Sequence, residues 1–200
     1  MINKGFNQKN NLTNKKKLPP GQYLVDYLLI LTAGPTPKID LELWNLEIYA
    51  NQDLIKSFTW QKFLKLPQSE FFTDIHCVTK WSLFDTVWEG VYLEEILEQS
   101  GINFSSGYIY VSCYGGYKTN IPMSDINNKK AMIAHSYNSK PLEPPHGGPA
   151  RLIVPHLYFW KSAKLIKSIH IIDKDKPGFW ESYGYHMYGD PWKEQRYYND

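Results

Sequence analysis

Asp74-Ile75-His76-Cys77-Val78-Thr79-Lys80-Trp81-Ser82 is the densest polar cluster in an otherwise strand-like stretch of the chain. Its histidine and cysteine stand side by side, which suggests a metal pair, but neighbouring strand residues point to opposite faces. Both reach one ion only if the strand ends between them. A Cys–His nucleophile pair would need a second, distant histidine; His135, His146, His156, His170 and His186 are available, and no signature marks any of them. A buried, inert thiol is the third reading of a single cysteine. The stretch by itself leaves metal ligand, nucleophile and core thiol open.

The cysteine count narrows the metal chemistry. Only Cys77 and Cys113 occur, with no CxxC pair, which speaks against a disulfide scaffold, an iron–sulfur cluster, a four-ligand zinc site and attached c-type haem. If Cys77 binds a metal, most of the other ligands come from elsewhere.

Outward from this stretch the hydrophobic pattern favours short strands. Ile39, Leu41 and Leu43 alternate, then Trp44, Leu46 and Ile48 alternate in the opposite phase, which predicts a strand kinked or bulged near Trp44. Thr59 is placed to cap a short helix with Trp60, Phe63 and Leu64 on one face, stopped by Pro67. Residues 72–78 read as extended. Leu93, Ile96 and Leu97 predict a second short helix closed by Gly101. Residues 108–113 read as a strand before a Gly115-Gly116 turn, and 138–149, dense in proline and glycine, as irregular. Residues 151–154 and 165–172 read as strands, and the aromatic tail after Asp173 as loop. Many short strands with few short helices predict an α+β fold rather than regular βαβ succession. Long loops rich in proline, glycine and aromatics in a domain this small are expected to surround a site.

Two hundred residues with 42% hydrophobic and 16% aromatic side chains suffice for one domain with a real core. The net charge of +2 is concentrated at the start, where Lys4, Lys9, Lys15, Lys16 and Lys17 precede the first acid, Asp26. Residues 1–18 are therefore expected to be a basic, disordered arm, and residues 19–200 the domain. Without those lysines no basic field remains to recruit nucleic acid. The apolar run 23–33 is too short for a membrane span and, taking Met1 as the start, unlike an export signal, so a cytoplasmic protein is expected.

Several separated motifs, taken in order, resemble one family. They begin with His76-Cys77-Val78-Thr79-Lys80-Trp81-Ser82, then Asp85 and Trp88-Glu89-Gly90-Val91. Gly147-Gly148-Pro149-Ala150-Arg151-Leu152-Ile153-Val154-Pro155-His156-Leu157-Tyr158 and Trp160-Lys161-Ser162-Ala163-Lys164 follow. Pro177-Gly178-Phe179-Trp180-Glu181, Gly184-Tyr185-His186 and Gly189-Asp190-Pro191-Trp192 complete the set. Together, over roughly residues 19–198, they resemble the molybdopterin-binding oxidoreductases of the sulfite oxidase fold.

The resemblance implies a molybdenum–molybdopterin cofactor in its nucleotide-free, pterin-phosphate form, with Cys77 as the only protein ligand to molybdenum. It places His146, Arg151, Ser162, Ala163 and Lys164 at cofactor-contacting positions, with Thr32, Ala33 and Cys113 as further contacts. Such a phosphate needs cations and backbone N–H groups at fixed positions. Trp81, Trp88, Tyr114 and Tyr117 are expected to wall the metal site. Tyr117, His76 and Lys80 are the candidate catalytic groups beside Cys77. The plain alternative for Lys161 and Lys164 is that of ordinary solvated strand ends.

The implied activity is two-electron oxygen-atom transfer on a small S- or N-oxide or its reduced counterpart, with a separate electron-transfer protein or small carrier as partner. Bacterial sulfoxide-reductase catalytic subunits are the nearest functional model. The chain has only two arginines, Arg151 and Arg196, too few for the anion pocket expected of sulfite-oxidising relatives. Two other readings stand beside this one: thiol-nucleophile chemistry at Cys77, and a cofactor-binding module without turnover.

Overall fold

In a computed structural model, which describes residues 17–102 and 106–200, short strands and short helices follow one another without βαβ regularity. The arm expected over residues 1–18 lies, except for its last two residues, outside the described residues. In chain order the elements are β1 (Tyr23–Leu24), β2 (Asn45–Ala50), β3 (Asp53–Thr59), α1 (Trp60–Leu64), β4 (Ser69–His76), β5 (Trp81–Tyr92), α2 (Leu93–Gln99), β6 (Tyr108–Cys113) and β7 (Lys118–Pro122). They continue with β8 (Met132–Tyr137), β9 (Lys140–Pro141), β10 (Arg151–Ile153), β11 (Ile166–Ile172) and α3 (Phe179–Ser182).

One sheet runs β3-β2-β11-β6-β7, with β11 parallel to β2 and the other pairs antiparallel. Period-two alternation makes it one-sided: Leu46, Ile48 and Ala50 of β2 and Ile109, Val111 and Cys113 of β6 turn inward. The other sheet is built on β5, which pairs with β4 along one edge and with β1 and β8 along the other, while β10 extends it from β8. Both faces of this sheet are covered. Val91, Ile133 and Leu152 join the main core against the first sheet, whereas Trp88, Met132, Ala134 and Ile153 face a second cluster with Ile75, Cys77 and Trp81. Burying such side chains stabilises the fold by about 1.5–3 kcal/mol each.

The expected strand over residues 39–43 is absent. Asp40 instead folds a turn, accepting the Glu42 N–H on Oδ1 at 2.9 Å and the Leu43 N–H on its carbonyl at 3.2 Å. Leu41 and Leu43 stay exposed, and the irregularity in β2 falls at Ile48/Tyr49 rather than near Trp44. Thr59 does cap α1, its hydroxyl accepting from the Lys62 N–H, but only Phe63 of the expected apolar face is buried and Leu64 points out. β3, β7, β8 and the length of β5 are not predicted by alternation. β5 is buried on both faces over much of its length, which erases the period.

Candidate cofactor site

β4 ends at His76 and β5 begins at Trp81, so the strand does stop between the two residues in question. The Lys80 N–H donates to the Cys77 carbonyl at 3.0 Å and the Cys77 N–H to the Trp81 carbonyl at 2.8 Å. Lys80 closes the hairpin at φ +75°, a left-handed position usually given to glycine. The side chains part here. His76 Nδ1 pairs with Ser82 Oγ at 2.8 Å and its ring meets Trp192 edge-on, while Cys77 lines a cavity of about 490 Å³. Burial pushes the Cys77 thiol up, opposed by the Thr79 hydroxyl 3.2 Å from Sγ.

Six stretches of chain close the cavity. Residues 29–37 line it as an irregular strap, bent at Ala33-Gly34, that includes Thr32 and Ala33, and the hairpin adds Cys77, Thr79 and Trp81. The β6–β7 turn brings Tyr114 to Tyr117, with Gly115 and Gly116 at φ +84° and +85°, backbone that a side chain would strain. Arg151 at the start of β10, and Ser162, Ala163 and Lys164 before β11, form the charged part. Phe179, Trp180 and Tyr185 with Trp160 form an aromatic wall, Tyr185 meeting Trp160 and Trp180 at 5.1 Å each.

The charged groups are held by backbone. Arg151 is buried, donates through Nη1 to the His146 carbonyl at 2.7 Å and through Nη2 to the Ser162 carbonyl at 2.6 Å, and lies 4.3 Å over the Phe159 ring. Its Nε has no partner among the described residues. Burial lowers its pKa to about 9, still protonated at neutral pH. Lys164 Nζ donates to the carbonyls of Leu31 at 2.8 Å and Pro145 at 2.6 Å, which ties the strap to the cavity rim. Burial, then the neighbouring Arg151, brings its pKa down to about 8. Gly147 lets these cations converge: a Cβ there would stand 3.0 Å from Arg151 Cβ and 3.1 Å from Lys164 Cβ.

Of the residues singled out from sequence, Cys77, Tyr117, Thr32, Ala33, Arg151, Ser162, Ala163 and Lys164 line this one cavity. His76, Lys80, Cys113 and His146 do not. Lys80 is exposed on the outside of the hairpin, and His146 contributes its carbonyl to Arg151. Cys113 belongs to the main core, where burial raises its thiol to about 12. Tyr117 donates its hydroxyl to the Trp160 carbonyl at 2.7 Å, and burial of that hydroxyl pushes it well up.

Lys161 is not a solvated strand end. It is fully buried, 2.6 Å from Glu181 Oε1, and donates to Asn120 Oδ1 at 2.7 Å and the Met187 carbonyl at 2.6 Å. Glu181 also accepts from Trp160 Nε1 at 2.8 Å, so the pair locks the base of the aromatic wall. The sequence signal was the Phe179-Trp180-Glu181 run, where an acid sits among aromatics. Nothing in the sequence pairs it with Lys161.

The donor set fits a cofactor that brings most of its own ligands. One thiol, two cations, hydroxyls and a glycine turn converge, and among the described residues no cluster of three or more His, Cys, Asp and Glu could hold an ion. A fold and site of this kind define a molybdenum-cofactor enzyme. The family model described as the oxidoreductase molybdopterin binding domain matches residues 33–180, and the chain belongs to this family, an oxidoreductase of the sulfite oxidase fold that takes molybdopterin with molybdenum. The uncharacterized oxidoreductase YuiH of Bacillus subtilis (strain 168) is 40% identical over 182 residues, 90% of this chain and 92% of that relative. The protein-methionine-sulfoxide reductase catalytic subunit MsrP of Campylobacter jejuni is 23% identical over 163 residues, and the match spans 73% of this chain but only 54% of that relative. Among solved structures, the sulfane dehydrogenase SoxCD of Paracoccus pantotrophus has the same fold, with a TM-score of 0.61 at 19% identity over 70% of this chain and 40% of that one. No helix among the described residues is long and apolar enough to cross a membrane.

Proposed function

We propose that the chain transfers an oxygen atom to or from a small neutral S- or N-oxide or its reduced partner, with Cys77 as the protein's ligand to molybdenum. The observation that carries this is that Cys77, Arg151 and Lys164 line one cavity, beside a wall of aromatic rings. When bound, the cofactor supplies the two-electron chemistry. Arg151 and Lys164 hold the pterin phosphate, helped by the hydroxyls of Ser162 and Thr32 and by the backbone of Ala33 and Ala163. Tyr117, Trp180 and Tyr185 keep water out and orient the substrate. His76 and Lys80 are left out of this assignment because neither lines the cavity.

A neutral substrate is favoured by charge. The cations lining the cavity, Arg151 and Lys164, are already bonded to backbone carbonyls and are needed for the phosphate. Among the described residues no further lysine or arginine faces the cavity to grip sulfite or nitrate. Reduction of an S- or N-oxide consumes two electrons and two protons and releases water, so a separate carrier must deliver the electrons. Thiol-nucleophile chemistry has less support, since no histidine lines the cavity among the described residues.

The test is a substrate panel on the molybdenum-loaded protein: sulfoxides and N-oxides with a reduced viologen dye, sulfite with ferricyanide, and nitrate with the viologen. Neutral oxides are expected to turn over with the higher kcat/KM. Sulfite or nitrate outrunning every neutral oxide would overturn the substrate assignment.

A further inference from the structure

Arg196, the second of the chain's two arginines, lies near the C-terminus, far in sequence from every cavity-lining residue of the hairpin. Its side chain is nevertheless almost wholly buried. Nη1 donates to the carbonyl of Val78, the residue after Cys77, at 2.7 Å, and Nη2 to the carbonyl of Pro20 at 3.3 Å. The guanidinium lies 4.9 Å over the Tyr158 ring. A charged donor on a buried carbonyl is roughly twice as strong as a neutral one.

The rest of the hairpin tip is tied in the same way. Gln22 Nε2 donates to the Cys77 carbonyl at 3.0 Å, and the Tyr23 N–H to the Lys80 carbonyl at 2.8 Å. Three of the tip's four carbonyls are thus gripped by segments from the two ends of the described chain. Arg196 also belongs to the aromatic wall through its backbone: its carbonyl accepts the His186 N–H, and Tyr197 bridges to Tyr185, which lines the cavity. Its own N–H is pinned by Asp200 Oδ2 at 2.8 Å.

We propose that Arg196 is a positioning residue for the metal-ligating cysteine, fixing the 77–80 turn so that the sulfur keeps one direction, and coupling that turn to the wall that faces substrate. A hairpin tip carrying a non-glycine residue at positive φ is strained and persists only where its surroundings over-determine it. Arg196 and Gln22 supply that determination from outside the cavity. The proposal rests on Cys77 being the ligand.

Arg196→Met, Arg196→Lys and Gln22→Leu, purified as full-length protein after expression with molybdate, test it. Three quantities are read: molybdenum per chain, the energy of the thiolate-to-molybdenum absorption band, and Tm. Loss of an outer partner that orients a metal ligand costs about 10–100-fold in metal affinity. Arg196→Met is therefore expected to bind molybdenum at least about tenfold more weakly and to purify with less of it per chain than the wild type, with a displaced band in the remainder. Arg196→Lys should recover much of both. Gln22→Leu should show a displaced band at nearly unchanged Tm. Wild-type metal content and band position in Arg196→Met would overturn the proposal. If that variant does not fold, an undisplaced band with full metal in Gln22→Leu overturns it equally. An absorption spectrum and metal content unchanged in Cys77→Ser refute Cys77 ligation itself, whatever the Arg196 variants do.

Discussion

Lys161 and Lys164 stand three residues apart and do different work. Lys161 neutralises Glu181 inside the protein, whereas Lys164 bridges two carbonyls at the cavity edge and is ready to meet an anion. The difference is not written in the sequence, because it depends on which acid the fold brings near each amine. His76 and Cys77 were only half legible: strand geometry let both reach one ion if the strand ended between them, and it does end there, yet His76 turns to Ser82 while Cys77 lines the cavity. Lys164 also sets a pH dependence. Its pKa in the fold, about 8, lies below the ordinary lysine value, so between the two the unfolded chain holds more protons and this group's share of stability rises with pH. A bound phosphate prefers the protonated amine, so cofactor affinity is expected to fall as pH rises through about 8. Pterin fluorescence released on equilibrium dialysis across that range measures it. Lys164→Met should bind the cofactor more weakly and lose the inflection.

Elements were legible where one face is wet. The alternation of β2, β6 and β11, and the capping threonine of α1, read directly, because one side of each meets the core and the other meets water. β5 and β8 lie between two clusters and carry no such period. The apparent strand over residues 39–43 fails for the opposite reason: it has the alternation but no neighbour to pair with, and Asp40 turns the chain locally. β5 holds one further constraint that its sequence does not announce. A Cβ on Gly90 would stand 2.0 Å from the Ile133 carbonyl oxygen and 2.7 Å from Ala134 Cα, where β8 crosses β5 at a register shift. Gly90→Ala is therefore expected to destabilise by about 3 kcal/mol by prising the two strands apart. Thr59→Ala, which removes only a cap, should cost about 1 kcal/mol. Urea denaturation of the two variants side by side checks the ordering, and equal stabilities would refute the packing argument.

At the scale of the whole molecule, the two sheets serve to bring five loops together. The strap over 29–37, the cysteine hairpin, the glycine turn, the Ser162–Lys164 segment and the aromatic tail are scattered over 150 residues and meet around one cavity. Their meeting was legible only as a succession of motifs resembling one family, since no single loop carries the site. What stayed hidden was how the ends of the chain serve it: Gln22 and Arg196 have no motif, and only the folded backbone brings them to Cys77. The account depends most on the Cys77 sulfur, and X-ray absorption at the molybdenum edge tests that directly. The wild-type protein is predicted to carry a sulfur contribution beyond that of the pterin dithiolene, and Cys77→Ser to lose it together with most of its metal. An unchanged sulfur shell and full molybdenum content in Cys77→Ser would contradict the account.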